Sequence, residues 1–476
     1  MEPELPNSDN EHTDVLIIGG GFGGINAARR LDRLLRRRLK AKVTLISRTN
    51  FYLFTPLLAE VAAALIDALH AVNPIRRMLK RVRFIQGTVL KLDAKAREAT
   101  YANENGDERT LAYEHCILAP GSVTAFFGIK GLEKGAFTMK TVGDAIQVRN
   151  HVVSLLERAE SLPPSKRPHL LSFAVVGGGL NGTEVAGELF DFVLRASDDY
   201  ASIQRGDIRM VLIEMRESLA QELPEQVGSY CKDNLQSRGM EIWLSARVTG
   251  YTNGLLEIRD GREIATETVI WSAGVRPSPL IADIDAERIE QDDRLPTNEF
   301  LQVRGYDNLW AVGDSAAIPD AKEGTYMPPT AQHAVRQGRH VAVNVARAIM
   351  GKPLEPFHYS SLGMLATLGR YRGAGRVFGI PLTGFPAWFA WRTYYLLTLP
   401  RWDRRLRVMI DWTLDLLFPP EIVQLKMERL HPETGADLGV ERRGGGGENQ
   451  RTQAVNATRD SAPSSEQSAR TAKPAP

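Results

Sequence analysis

Two stretches of the chain place glycines where a backbone could hold a phosphate. TDVLIIGGGFGG at 13–24 and SFAVVGGGLNGTEVAGEL at 172–189 each run from an apolar segment through Gly-x-Gly-x-x-Gly into a helical pattern. The triplets are Gly19, Gly21 and Gly24, then Gly177, Gly179 and Gly182. In such a turn the first glycine permits the bend and the second lets backbone approach a pyrophosphate. The third lets helix pack on strand, and the helix N-terminus faces the phosphates. One such turn says little. Two, each between an apolar strand and an amphipathic helix, predict two dinucleotide sites.

The end of the second strand in each unit separates the ligands. IRMVLIEM at 208–215 puts Glu214 where a carboxylate accepts both ribose hydroxyls and repels a 2′-phosphate, which favours NADH over NADPH. KVTLIS at 42–47 puts Ser47 at the corresponding place, followed by Arg48; serine can still bond a ribose, but the usual acid is missing. PPTAQHAVRQG at 328–338 starts a helix: Pro328 and Pro329 fix φ, Thr330 is placed to cap a free N–H, and Gln332 falls in the first turn. Glu184 stands near the start of the second glycine-turn helix, where the dipole alone would favour an acid. His333 and His340 lack cysteines or clustered acids around them, so they read as surface or packing residues and no metal site is predicted.

The glycine turns need strands and helices on both sides, and the chain supplies them twice, the pattern restarting after the Pro-rich break ESLPPSKRPH at 160–169. At 476 residues two or three cores are expected. With 43% hydrophobic and 24% charged residues the composition is that of a globular protein. A net charge of +2 carries no signature of nucleic-acid binding, and the basic run RRLDRLLRRRLKAK at 29–42 reads as a solvated helix face. Cys116 and Cys231 form no CxxC, which argues against a secreted disulfide scaffold and a dithiol redox centre; a bridge between them is left open. MEPELPNSDNEHTD lacks the order of a signal peptide, so the bulk is expected on the cytoplasmic side. From Glu441 large apolar residues become scarce, and a disordered tail is expected.

Seven motifs in order resemble the type II NADH:quinone oxidoreductases, single-chain flavoproteins with two dinucleotide-binding domains. They are GGGFGG, RTNFYLFTPLLAEVA at 48–62, ILAPGS at 117–122, GGGLNGTEVAGEL at 177–189, WSAGVRP at 271–277, LWAVGD at 309–314 and PPTAQHAVRQG. The resemblance runs from about Thr13 to Leu425. It implies an α/β fold of two Rossmann-like domains, the NAD domain inserted in the FAD domain, with a C-terminal membrane-associating helical region. The implied segments are a flexible N-terminus at 1–12, an FAD domain at 13–165 and 301–356, an NAD(H) domain at 166–300, a membrane-anchoring region at 357–440 and the tail at 441–476.

The resemblance also implies site residues. FAD would lie against Gly19, Gly21, Gly24, Ser47, Arg48, Gly121, Gly313 and Asp314, the aspartate bonding its ribityl or pyrophosphate end. Pro120 stands where the family usually has threonine, which removes a hydroxyl and an N–H donor. NADH would lie against Gly177, Gly179, Gly182, Glu214 and Gly274. Gln332 would sit between flavin and quinone, its helix dipole stabilising charge on the reduced flavin. Arg336, replacing a family glutamine, would face the quinone headgroup or point outward, and Glu184 matches a family glutamate near nicotinamide and flavin. The implied activity passes a hydride from NADH to FAD and two electrons on to a membrane quinone, without proton pumping.

A quinone dissolves in lipid, so such an enzyme must reach a bilayer. PAWFAWRTYYLLTL at 386–399 is apolar and aromatic but too short to span one. RWDRRLRVMIDWTLDLLF at 401–418 sets Arg404, Arg407, Asp411 and Asp415 on one helical stripe and Leu406, Met409, Ile410 and Leu417 on another. Trp388, Trp391, Trp402 and Trp412, with arginines nearby, suit the headgroup region. Peripheral, monotopic attachment to the cytoplasmic side of the cell membrane is expected. The competing reading packs this helix on the protein or on a second copy in a homodimer. Two other functions stay open here: an NADH-binding flavoprotein redox sensor, and a sulfide:quinone oxidoreductase. The latter is disfavoured because Cys116 and Cys231 read as packing residues.

Overall fold

The computed structural model describes residues 11–37, 39–320, 324–361, 363–419 and 421–424. The expected tail at 441–476 lies outside these residues, as do 1–10 of the expected N-terminal segment and 425–440 of the expected C-terminal region. The chain opens with β1 (Glu11–Ile18), α1 (Phe22–Arg37), β2 (Val43–Ser47), the short α2 (Leu58–Ala62), β3 (Arg83–Asp93), β4 (Glu98–Asn103) and β5 (Glu108–Leu118). Val15, Leu16, Ile17 and Ile18 are buried on both faces of β1, which suits the middle of a parallel sheet. β1 does lie parallel between β2 and β5, with Val15 opposite Val43 on one side and His115 on the other. β3 continues the sheet in parallel from β2, and β4 runs antiparallel to β3 and β5.

After β6 (Ser122–Thr124) and α3 (Val142–Glu160) comes the second unit: β7 (Ser172–Val176), α4 (Leu180–Ser197), β8 (Arg209–Ile213), β9 (Glu241–Trp243) and β10 (Thr268–Trp271). These strands form a parallel sheet in the order β9-β8-β7-β10. β11 (Val275–Pro277) then pairs antiparallel with β6, Val275 opposite Thr124, and β12 (Leu309–Ala311) returns to the first sheet beside β5. One α/β unit is thus inserted in another. α5 (Ala331–Ile349) packs on α1, and a side chain at Gly338 would run into the Gly23 carbonyl, so glycine permits that close approach.

The remaining described chain forms an antiparallel meander, β13 (Gly363–Thr367), β14 (Gly373–Val377) and β15 (Ile380–Thr383), followed by α6 (Gly384–Thr398) and α7 (Trp402–Leu417). No helix among the described residues is long and apolar enough to cross a membrane. In α7 the polar stripe turns partly inward: Asp415 is buried and accepts from Arg195 at 2.8 Å, and Asp411 lies 2.5 Å from the His70 ring. Leu406, Met409, Ile410 and Leu417 face out.

The expected headgroup tryptophans are a correction. Only Trp402 is exposed, at 74%, while Trp388, Trp391 and Trp412 are buried. Trp391 and Trp412 join the main core and bond Glu184 and Glu60, while Trp388 packs against Tyr371 and Phe385; the Arg392 guanidinium lies 4.2 Å from the Trp388 ring and 4.8 Å from that of Trp412. Phe385, Phe389 and Tyr394 take the outward positions instead. Cys116 and Cys231 are both buried free thiols, so the bridge left open by the sequence is not formed.

Candidate active site

A cavity of about 1470 Å³ runs along the carboxyl ends of both parallel sheets, where α/β folds bind nucleotides. Its wall includes Gly19, Gly21, Ser47, Arg48, Gly121, Gly313 and Asp314 in the first unit, and Gly177, Gly179, Glu184, Glu214 and Gly274 in the second. Gly24 and Gly182 lie off the wall for a packing reason. A side chain at either would strike the carbonyl of the first glycine of its own turn, Gly19 or Gly177. Those first glycines have φ of 105° and 107°, and at Gly21 nothing stands within 4 Å of where a Cβ would be. Both turns combine a tight bend with a helix N-terminus, which fits a pyrophosphate; the first is open, whereas in the second the Glu222 carboxylate accepts the Leu180 N–H at 3.4 Å and stands 3.0 Å from where a Gly179 side chain would begin.

The first cradle holds polar residues that the sequence reading missed. Asp314, in the turn after β12, accepts the Ser122 hydroxyl at 2.6 Å, and Ser122 accepts from the Lys140 ammonium at 2.9 Å. Burial lowers the pKa of Lys140 below its ordinary value, with the Asp314 charge acting in the opposite sense. Gly313, at φ 75°, donates its N–H to Gln337 Oε1 at 2.9 Å, and the Gly121 carbonyl accepts the Ser315 hydroxyl at 2.6 Å. Gln337 carries a signal in hindsight, as a polar residue on the apolar stripe of Ala334, Val341 and Val345. Lys140 sits in no motif, and only the pairing of distant segments brings it to the site.

In the second cradle Glu214 follows β8, and its carboxylate accepts the N–H of Gly178 at 2.5 Å and of Arg216 at 2.8 Å. These bonds fix it at the lip of the glycine turn. Glu184 accepts the Thr367 N–H at 3.1 Å and the Trp391 indole at 2.9 Å, tying α4 to β13 and α6. Burial pushes its carboxyl up to about 8, so it keeps a proton at neutral pH. A first-turn dipole acid would stand in water; this one is half-buried on the cavity wall and bonded to two other elements. Tyr395 of α6 shares the cavity wall with it, its hydroxyl pushed up by burial. Behind them lie buried Glu188 and Glu60, the latter accepting the Trp412 indole at 3.0 Å with Arg392 3.6 Å away.

Gln332 and Arg336 lie off the cavity wall, which α5 meets with Ala331 and Ala334. Residues 331 and 334 share one helical face at i and i+3, whereas 332 and 336 share the next at i and i+4. The Gln332 amide donates to the Gly363 carbonyl at 3.2 Å and accepts the Tyr359 hydroxyl at 2.9 Å, and the Arg336 guanidinium lies 4.3 Å over the Tyr359 ring. Thr330 occupies the N-cap position, but its hydroxyl bonds His333 Nδ1 at 2.7 Å instead of capping a backbone N–H.

Two glycine cradles on one cavity give the architecture of an oxidoreductase of the two-dinucleotide class. Residues 13–338 match the family model described as pyridine nucleotide-disulphide oxidoreductase. The chain is 31% identical over 420 residues to the type II NADH:quinone oxidoreductase Ndh of Mycobacterium tuberculosis, covering 85% of this chain and 88% of that protein. It is 28% identical over 462 residues to the mitochondrial internal alternative NAD(P)H-ubiquinone oxidoreductase A1 of Arabidopsis thaliana, covering 89% of each. Its fold is similar to that of NDH2 from Plasmodium falciparum, solved in complex with NADH, at a TM-score of 0.80, 20% identity and coverage of 88% and 100%. The chain belongs to the type II NADH:quinone oxidoreductases, within the pyridine nucleotide-disulphide oxidoreductase family.

Proposed function

We propose that the protein oxidises NADH and reduces a membrane quinone while resting on the cytoplasmic face of the membrane through its C-terminal region. The observation that carries this reading is one cavity shared by both glycine cradles, with Glu184 on its wall. FAD, when bound, supplies a carrier that takes two electrons from a nicotinamide and returns them to a quinone. The chain's own residues bind and orient. Gly19 and Gly21 present backbone to one pyrophosphate, Gly177 and Gly179 to the other, Asp314 anchors the sugar side of the first ligand, and Glu214 selects a free 2′-hydroxyl in the second. Glu184 holds a proton on the cavity wall at neutral pH, at a position suited to proton supply. Gln332 and Arg336 belong to the quinone side, with Gln332 oriented by Tyr359 and Gly363.

In this reading 13–165 and 301–356 serve FAD, 166–300 serve NADH and 357–440 serve attachment. Attachment is supported by the outward apolar residues of α7, by Phe385 and Phe389 of α6, and by Phe378 and Ile380 at the turn between β14 and β15. Exposed large apolar side chains in this number are of the kind that marks a membrane or a partner interface. The sulfide alternative is not favoured, because both cysteines are buried and burial raises their thiol pKa values.

The test is anaerobic and uses purified protein loaded with FAD. NADH should bleach the flavin absorbance well ahead of NADPH, and a short-chain quinone should restore it. A flavin that stays oxidised with NADH, or one that bleaches and is not reoxidised by quinone, overturns the corresponding half of the reading.

A further inference from the structure

Phe127 has a φ of 52°, a left-handed conformation that residues other than glycine adopt at a cost, and a glycine, Gly128, stands one position further on. Burial does not offset that cost, because the Phe127 residue is 67% exposed. The segment is not slack. The Ala125 N–H donates to the Gly274 carbonyl at 3.1 Å, the Trp271 indole donates to the Ala125 carbonyl at 2.8 Å, and the Phe126 ring packs 6.2 Å from that of Trp271. Phe126 takes the inward place, and the left-handed turn throws Phe127 onto the cavity wall. There its ring lies against Gly274, where an added Cβ would come within 2.6 Å of the ring edge.

The position is informative. Six large apolar residues are exposed among the described residues before 371, namely Leu69, Leu90, Phe127, Met215, Val275 and Met350, and four of them, Leu90, Phe127, Met215 and Val275, line the cavity. Gly274 lies just past Ser272 and Ala273, whose backbone abuts Gly177 of the second cradle. It also lies just before β11, whose partner β6 leads to Ser122 and Asp314 in the first. A dinucleotide held at Gly177 and Gly179 with its nicotinamide directed toward the first cradle must therefore pass Gly274.

We propose that Phe127 is a clamp on bound NADH: its ring, seated on the bare backbone of Gly274, covers the nicotinamide-riboside half of the dinucleotide and holds water off it. A flat aromatic ring suits this task because the nicotinamide offers a π face and an apolar edge. The backbone strain at Phe127 serves to present the ring. This inference rests on NADH occupying the second cradle.

Calorimetric titration of the FAD-loaded protein with NAD⁺ and anaerobic stopped-flow bleaching by NADH test it. Phe127→Ala should weaken both affinities on the order of tenfold, and Gly274→Ala should do the same by displacing the ring, while Phe127→Tyr should restore near-wild-type binding. Because φ is free at glycine, Phe127→Gly should weaken binding without lowering the melting temperature. Wild-type affinities in Phe127→Ala overturn the clamp, as does a melting temperature that falls in Phe127→Gly while affinity is kept, which would make the ring a structural prop. Failure of the underlying assignment looks different: the wild-type flavin would not be bleached by NADH at all.

Discussion

At the scale of single residues, methyl groups added at Gly24 and at Gly21 should fail in different ways. Gly24→Ala meets the Gly19 carbonyl, so α1 must move off β1 and the protein should lose about 2–3 kcal/mol of stability along with its flavin. Gly21→Ala has open space around it, so the fold should keep its denaturation midpoint while FAD affinity drops; denaturant titration beside flavin content separates the two. The buried carboxyls have a pH signature. Burial pushes Glu188 from its ordinary 4.5 up to about 7; the nearby Asp191 carboxylate adds to this, and Arg392 and Arg238 oppose it. Between those values the folded protein keeps a proton that the unfolded chain has released, so this contribution is complete below pH 4.5 and is lost as pH rises through 7. Replacing Glu188 with Gln removes that dependence. The variant should gain stability relative to wild type as pH rises across this window, which melting curves at pH 5 and pH 7.5 would register.

At the scale of elements, α7 departs from the usual amphipathic helix. Its acids reach inward, Asp415 to Arg195 and Asp411 to His70, and its leucines reach outward. The acids that the sequence set against an anionic lipid surface are therefore engaged within the protein. Attachment through this face carries a direct expectation: changing Leu406, Met409, Ile410 and Leu417 together to Gln should abolish flotation with lipid vesicles, because each buried aliphatic side chain contributes about 1.5–3 kcal/mol. Bleaching of the flavin by NADH should survive. If the variant still floats, the membrane reading of α7 fails. If the wild-type protein does not float and runs in solution as a dimer that the same changes split, the face belongs to a second copy of the chain.

At the scale of the whole molecule, the cavity holds the halves of the protein in register, because its wall draws on both sheets and on α6. FAD should therefore stabilise the entire fold. At a thousandfold excess over its dissociation constant a ligand adds about 4 kcal/mol, so stripping the flavin should lower the melting temperature and restoring it should reverse the loss; equal melting temperatures with and without FAD would contradict a cofactor seated between the units. The glycine turns, the strands on either side and the Glu214 strand end are legible in the sequence because each depends on residues within a few positions of one another. The inserted order is implied only by the family resemblance, since the return of β12 to the first sheet beside β5 pairs segments nearly two hundred residues apart. What the local pattern could not decide is which way a side chain faces once helices dock. Gln332 and Arg336 turn to Tyr359 because α5 meets the cavity with Ala331 and Ala334, Trp391 and Trp412 are drawn inward to Glu184 and Glu60, and Lys140 reaches Asp314 through Ser122 from separate parts of the chain. Backbone propensity and periodicity act over one or two turns, whereas these orientations are set by contacts between segments up to hundreds of residues apart, and only the tertiary structure brings those together.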